Sequence, residues 1–435
     1  MINKRGEIFK KITIVIFALM IISIFFISYP STSITNNEIN TLIEYWPHMP
    51  ILSSILMISF LILSISKERI FLFFRHFYER KDLLIFSIIF FLLFIGFFNS
   101  DNFGYIFERI KIKSPFLALP LAAASLSISR KGFYIILYTF ICFTFCITVY
   151  TFLNYVIYYE QINTAYLMSK VMPTPMNHIR FSIILALAIY STYYLLKNNV
   201  SLVRFDQIIL LIVGLFLFVF IHIYSVRSGL FALYGMIATE IVLFFIKEKS
   251  IKKIILIFAS ILFFLILVYN LSPTIKNKFI NTIDDFAVYK ENKNANYSSI
   301  SKRIISYEVA LQLFKENMFW GCGLGDLEIK NKAYFMKAHP EIDITIIPHN
   351  QFIYYLASMG IVGFIGFTFC FLYPLFYKKN YKNEFLLMVY ITMLLSFLWE
   401  PMIETQLGVA CTVLFIILPL MINEEIKESS SISVI

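Results

Sequence analysis

Twelve long apolar runs punctuate the chain, near residues 12–29, 51–66, 83–98, 115–129, 133–150, 181–196, 208–224, 230–246, 254–268, 352–373, 385–398 and 408–422. Crossing the roughly 30 Å hydrocarbon core of a bilayer takes about 20 predominantly apolar residues in a helix, so runs of this length, repeated this often, leave little choice of fold. They predict an all-α polytopic integral membrane protein with about twelve transmembrane helices, a single membrane domain over residues 1–435. Only 15% of the residues are charged and 59% are hydrophobic, where a soluble domain carries about 25% charge. A soluble globule and an extended disordered chain are both excluded. The first run follows Lys4, Arg5, Lys10 and Lys11 without a small-residue cleavage site after it, which predicts an uncleaved first span. The run at 115–129 is the least regular, being short and interrupted by Pro120.

In such a chain the net charge of +10 reports topology first, because Lys and Arg are retained on the cytoplasmic side; nucleic acid is not an expected partner. With the N-terminus inside, the segments assigned to the cytoplasm hold 21 of the 37 Lys and Arg residues and the short outer loops hold six. Both termini are therefore expected to be cytoplasmic. Three of the six outer cations, Arg109, Lys111 and Lys113, crowd together and pull against the rule. The remaining ten fall in residues 269–351, a long hydrophilic segment expected on the outer side between spans nine and ten. Within it, RIISYEVALQLF over 303–314 repeats apolar residues at helical spacing, with Arg303 and Tyr307 on one face. This predicts an amphipathic helix on the outer leaflet or roofing a cavity. Gly321, Gly323 and Gly325 follow as a flexible turn, whose backbone N–H groups offer an alternative use as a phosphate cradle.

Ionisable residues at span boundaries are costly unless they face water or protein, so each is a functional candidate. The outer ones are few: Arg180 and His178 at the start of span six, Arg227 between spans seven and eight, Arg303, His349 before span ten, and Glu400 and Glu404 before span twelve. Arginine is planar, permanently charged and bidentate toward phosphate, while histidine titrates near neutrality and acts as a base. Such a set suits holding a phosphate-rich anion and taking a proton from a hydroxyl. A diphosphate leaving group needs its growing charge neutralised; the seven aspartates form no Asp-x-Asp pair, so arginines would take the place of a metal. Neither metal nor cofactor is expected, and the five cysteines suggest neither a disulfide framework nor a metal cluster. Plainer roles stand beside these: a boundary arginine often snorkels, His349 in Pro348-His349-Asn350 suits a turn or cap, and Glu400 and Glu404, four apart on one helical face, suit a structural pair with an arginine. His178 is a rival base, and His222 within span seven reads as a packing residue.

His349-Asn350, nine residues, Gly360, two residues and Gly363 resemble the signature of the O-antigen ligase family of bacterial envelopes. The flanking pattern is similar too: about twelve spans, a large loop between spans nine and ten, Arg227 before span eight, and Arg303 in the loop helix with Tyr307-Glu308 after it. The resemblance covers residues 205–425. It implies an enzyme of the bacterial inner membrane, with a periplasmic active site, that moves a glycan from undecaprenyl diphosphate to a sugar hydroxyl of the lipid A core without metal. It gives His349 the base or acceptor-orienting role and Arg227 and Arg303 the diphosphate contacts. Arg180 is added from position as a further diphosphate contact, Glu400 and Glu404 are added from position as supporting candidates, and Tyr307, Asn350 and His178 stand beside them in supporting roles. Related O-antigen polymerases, whose acceptor is another lipid-linked repeat unit, share these features. A carrier or flippase for lipid-linked glycans would place polar residues near the bilayer midplane on broken helices, whereas here the candidates gather on one side.

Overall fold

The computed structural model describes residues 2–28, 47–248, 299–338 and 346–422 apart from positions 68, 98, 168 and 169, together with Pro340 and scattered residues between 259 and 283. The ninth predicted span, 254–268, lies mostly outside these. The described chain is all helical. In order its helices are α1 (Ile2–Ser23), α2 (Pro50–Lys67), α3 (Ile70–Glu79), α4 (Lys81–Phe91), α5 (Leu93–Phe97), α6 (Phe103–Lys113), α7 (Pro115–Ala123), α8 (Arg130–Ile157), α9 (Tyr159–Leu167), α10 (His178–Lys197), α11 (Asp206–Tyr224), α12 (Arg227–Glu248), α13 (Ser299–Glu316), α14 (Leu327–Ala338), α15 (Gln351–Phe376), α16 (Glu384–Phe397) and α17 (Gln406–Leu420).

Among the described residues seven helices are long and apolar enough to cross a membrane, and α16 and α17 are shorter apolar helices, short of the twelve spans expected. The runs at 83–98 and 115–129 fall short for local reasons. The first is divided between α4 and α5, and the second yields α7, nine residues with Pro120 inside. At 1.5 Å per residue, nine residues rise only about 14 Å.

Side-chain contacts sort the helix ends into two poles. At one, the Arg80 guanidinium donates to the Leu420 carbonyl (3.0 Å) and Ile128 N–H to the Met421 carbonyl (3.0 Å). Phe133, one turn into α8, packs on Tyr194 and Phe385, which brings in Lys197 and Glu384 (2.9 Å). The lysine- and arginine-rich connections therefore share this basic pole. At the other, α10 and α12 run parallel and start close together: Ser182 Oγ lies 3.2 Å from Ser228 Oγ, and a Cβ on Gly229 would sit 2.5 Å from that of Ser182. Antiparallel α16 brings Trp399 onto Phe231 at this same end, ring centroids 4.8 Å apart.

The amphipathic segment forms α13. Its apolar residues Ile305, Val309, Ala310 and Leu313, spaced to share one face, bury with Leu324, Phe335, Tyr354 and Ala357 in a small core separate from that of the membrane body. The following turn is fastened to a break in α15. Gly360 has φ +63°, and around it Cys322 and Gly323 N–H donate to the Ala357 and Ser358 carbonyls (2.8 and 3.1 Å) while Ile361 N–H donates to Met318 O (2.8 Å). A Cβ on Gly360 would lie 2.3 Å from the Phe319 carbonyl oxygen. Alanine there adds a positive-φ, extended backbone that is essentially glycine-only, about 1–3 kcal/mol by itself, to a backbone clash. Gly360→Ala should lower both membrane accumulation and thermal stability sharply, whereas Gly366→Ala, whose Cβ would meet only the Leu92 side chain at 3.2 Å, should be mild. Equal behaviour of the two variants would refute this role for the break.

Candidate functional site

At the end opposite the basic pole, the connection before α15 meets the connection after α16. Asn350 caps α15, its side-chain oxygen accepting from Phe352 and Ile353 N–H (2.9 and 3.1 Å), and its amide donates to the Leu398 carbonyl (3.2 Å). This cap fixes the preceding residue. His349 Nδ1 lies 2.8 Å from Glu400 Oε1, and Arg303 Nη2 from α13 reaches the same oxygen at 3.3 Å. Tyr307, one turn along α13, donates its hydroxyl to the His349 carbonyl (2.8 Å). The predicted shared face of Arg303 and Tyr307 is thus the face turned to the histidine.

Glu400 is 4% exposed. Burial pushes its carboxyl up, but the hydrogen bond and charge of His349 and the charges of Arg303 and Arg180 outweigh it and hold the group below the ordinary carboxylate range. The ionised carboxylate can only accept, so Nδ1–H is the donor and Nε2 is the ring nitrogen that Glu400 does not engage. The His349 side chain is 25% exposed. Arg180, third residue of α10, is buried near this carboxylate, and its Nε finds no hydrogen-bond partner among the described residues. Arg227 opens α12 and is followed by Ser228, whose hydroxyl meets Ser182 of α10. His178 opens α10, its carbonyl accepting from the Tyr224 hydroxyl (3.1 Å). His222 is a packing residue whose Nε2 lies 2.6 Å from the Tyr234 hydroxyl.

Glu404 corrects the expectation of two carboxylates on one helical face. Residues 398–405 are not a continuous α-helix: Pro401 intervenes and only Met402–Glu404 forms a 3-10 turn, so the two side chains point to different partners. The Glu404 Oε1 accepts from Lys113 Nζ (2.6 Å) and Gln351 Nε2 (3.0 Å), and Lys113 also donates to the Tyr355 hydroxyl (3.0 Å). Ile403 N–H donates to Gln351 Oε1 (3.0 Å), and Arg109 donates to the Glu404 carbonyl. Lys113 and Gln351 are fully buried. Sequence reading placed Arg109 and Lys113 on the outer side but did not count them, or Gln351, among the candidate site residues. The signal was present in the cluster of outer cations that violated the charge rule: Arg109 and Lys113 face inward, onto Glu404.

The glycine-rich turn is occupied with protein contacts. The N–H groups of Gly321, Cys322, Gly323 and Gly325 donate to Asn317 O, Ala357 O, Ser358 O and Ser100 Oγ, which removes the phosphate-cradle reading of those four donors. Among the described residues no three His, Cys, Asp or Glu side chains come together in a form that would hold a metal ion.

Residues 211–368 match the family model described as O-Antigen ligase. The matched stretch contains Arg227, Arg303, Tyr307, His349, Asn350, Gly360 and Gly363 and ends before Glu400 and Glu404. No curated protein matches the chain.

Proposed function

We propose that this chain, a polytopic membrane protein carrying an O-antigen ligase domain over residues 211–368, transfers a glycan from undecaprenyl diphosphate to a sugar hydroxyl of the lipid A core, at the pole bearing His349. The observation that carries the reading is the His349 Nδ1–Glu400 contact at 2.8 Å with Arg303 on the same carboxylate. A carboxylate that holds Nδ1–H orients the ring and stabilises the imidazolium formed when Nε2 accepts the acceptor's proton. The hydroxyl oxygen then forms the new glycosidic bond as the bond from the sugar to the carrier diphosphate breaks. Arg227, Arg303 and Arg180 neutralise the charge that collects on the departing diphosphate. The charge count of the connecting segments supports a periplasmic location for this pole and cytoplasmic termini. Arginine neutralisation makes the reaction independent of metal.

The test is a deletion strain examined by lipopolysaccharide gel, with transfer by the purified protein in excess EDTA. Long glycan chains lost from the core but kept on the lipid carrier support the ligase. Core carrying a single repeat unit indicates the polymerase reaction instead. Activity abolished by EDTA and restored by magnesium or manganese would contradict the arginine assignment, and a donor moved across the bilayer unconsumed would contradict an enzyme altogether.

A further inference from the structure

α11 and α12 meet near the His349 pole, where His222 and Tyr234 touch, and between them and α10 lies a cavity of about 580 Å³, within the usual range for ligand pockets. Its walls are apolar: Leu211, Leu215 and Phe218 from α11, Leu233, Ile237 and Ile241 from α12. Toward the basic pole the lining changes character. Lys197 Nζ sits 3.0 Å from Glu240 and 2.9 Å from Glu384, the Tyr190 hydroxyl lies 3.2 Å from Glu240, and Lys247 and Glu248 join from the last turn of α12.

An apolar shaft that ends in a charged mouth where the helices end matches one amphiphile, with a chain in the shaft and a head group at the mouth. The charges select the head. Three carboxylates and two lysines line the cavity, and Lys197 is already shared by two of the carboxylates. A head group bearing only negative charge meets a net negative mouth, which disfavours it. A head with a protonated amine beside a phosphate finds both partners, the amine at Glu240 and Glu384 and the phosphate at Lys247. The lipid diphosphate of the proposed reaction has no amine, and this mouth lies at the opposite pole from His349. We propose that the wedge between α11 and α12 binds a glycerophospholipid with an amine head group, phosphatidylethanolamine, of the leaflet at the basic pole. The inference does not depend on the proposed reaction.

The test is native mass spectrometry of the full chain, purified in detergent and offered equal amounts of phosphatidylethanolamine and phosphatidylglycerol with identical acyl chains. The wild type should retain the amine lipid about tenfold better, equivalent to about 1.4 kcal/mol. Glu240→Gln should reduce that preference. Glu384→Gln, at a side chain 44% exposed and so tolerant of change, should reduce it as well and covers the case in which Glu240→Gln fails to fold. Leu215→Trp, which fills the shaft, should lower retention of both lipids. Wild-type protein that holds phosphatidylglycerol as well as phosphatidylethanolamine overturns the proposal. So does an unchanged preference in Glu384→Gln, or unchanged retention in Leu215→Trp.

Discussion

His349→Ala should lose about 10²- to 10⁴-fold in the rate of glycan transfer, the typical contribution of a positioned base, or roughly 3 to 5 kcal/mol of barrier at about 1.36 kcal/mol per tenfold. Binding of the lipid diphosphate should be nearly unchanged, since the arginines hold the donor in the proposed scheme. The contacts of His349 sharpen the test. Tyr307 bonds the His349 backbone carbonyl and Asn350 caps α15 through its own side chain, so trimming the imidazole leaves the backbone anchors in place. Protein abundance should therefore stay near normal. What the variant does lose is the Nδ1 bond to Glu400, which Arg303 still contacts. His178→Ala should cost far less. Near wild-type transfer by His349→Ala, or a collapse of abundance and donor binding in step with turnover, would remove the base assignment.

The second large effect is on stability and concerns the Lys113–Glu404 pair, whose side chains are 0% and 3% exposed. Removing one partner of a buried ion pair leaves an uncompensated charge and typically costs about 3–5 kcal/mol, while replacing both with apolar groups is often neutral or better. Lys113→Met and Glu404→Gln should each lower the unfolding midpoint strongly, and Lys113→Met/Glu404→Leu should recover much of the loss. With the exposed Cys142 and Cys146 replaced by serine, the buried Cys322 thiol, pushed up to about 12 by burial, gives a probe that reacts with a thiol dye only when the structure opens. Each single variant should also lower transfer, because Glu404 and Gln351 tie down the two connections that carry Glu400 and His349. If the double variant is as unstable as the sum of the singles, the pair is not the coupled unit its geometry indicates.

The apolar runs alone determined that the described residues form helices, seven of them long and apolar enough to cross a membrane, because a long apolar helix satisfies its own backbone and has only lipid or other helices to face. They also determined the positions of five long helices: α8, α10, α11, α12 and α15 lie where the runs at 133–150, 181–196, 208–224, 230–246 and 352–373 put them. Local spacing was enough for α13 and its Arg303–Tyr307 face. Length along the sequence did not determine spanning, since Pro120 and the division near Leu92 shorten helices whose composition alone looked sufficient. Nor did sequence spacing reveal partnerships. Glu400 and Glu404 looked equivalent at four residues apart, yet a proline and a 3-10 turn send one to His349 and Arg303 and the other to Lys113 and Gln351. Lys113 lies 291 positions from Glu404, and no local pattern encodes a contact at that separation. The packing that brought them together also set Gly321 against the backbone of Ser358–Gly360, and Gly323 and Gly325 against the backbones of Asn99 and Asn102, because only the tertiary fold sets one backbone close enough to another for a missing Cβ to matter.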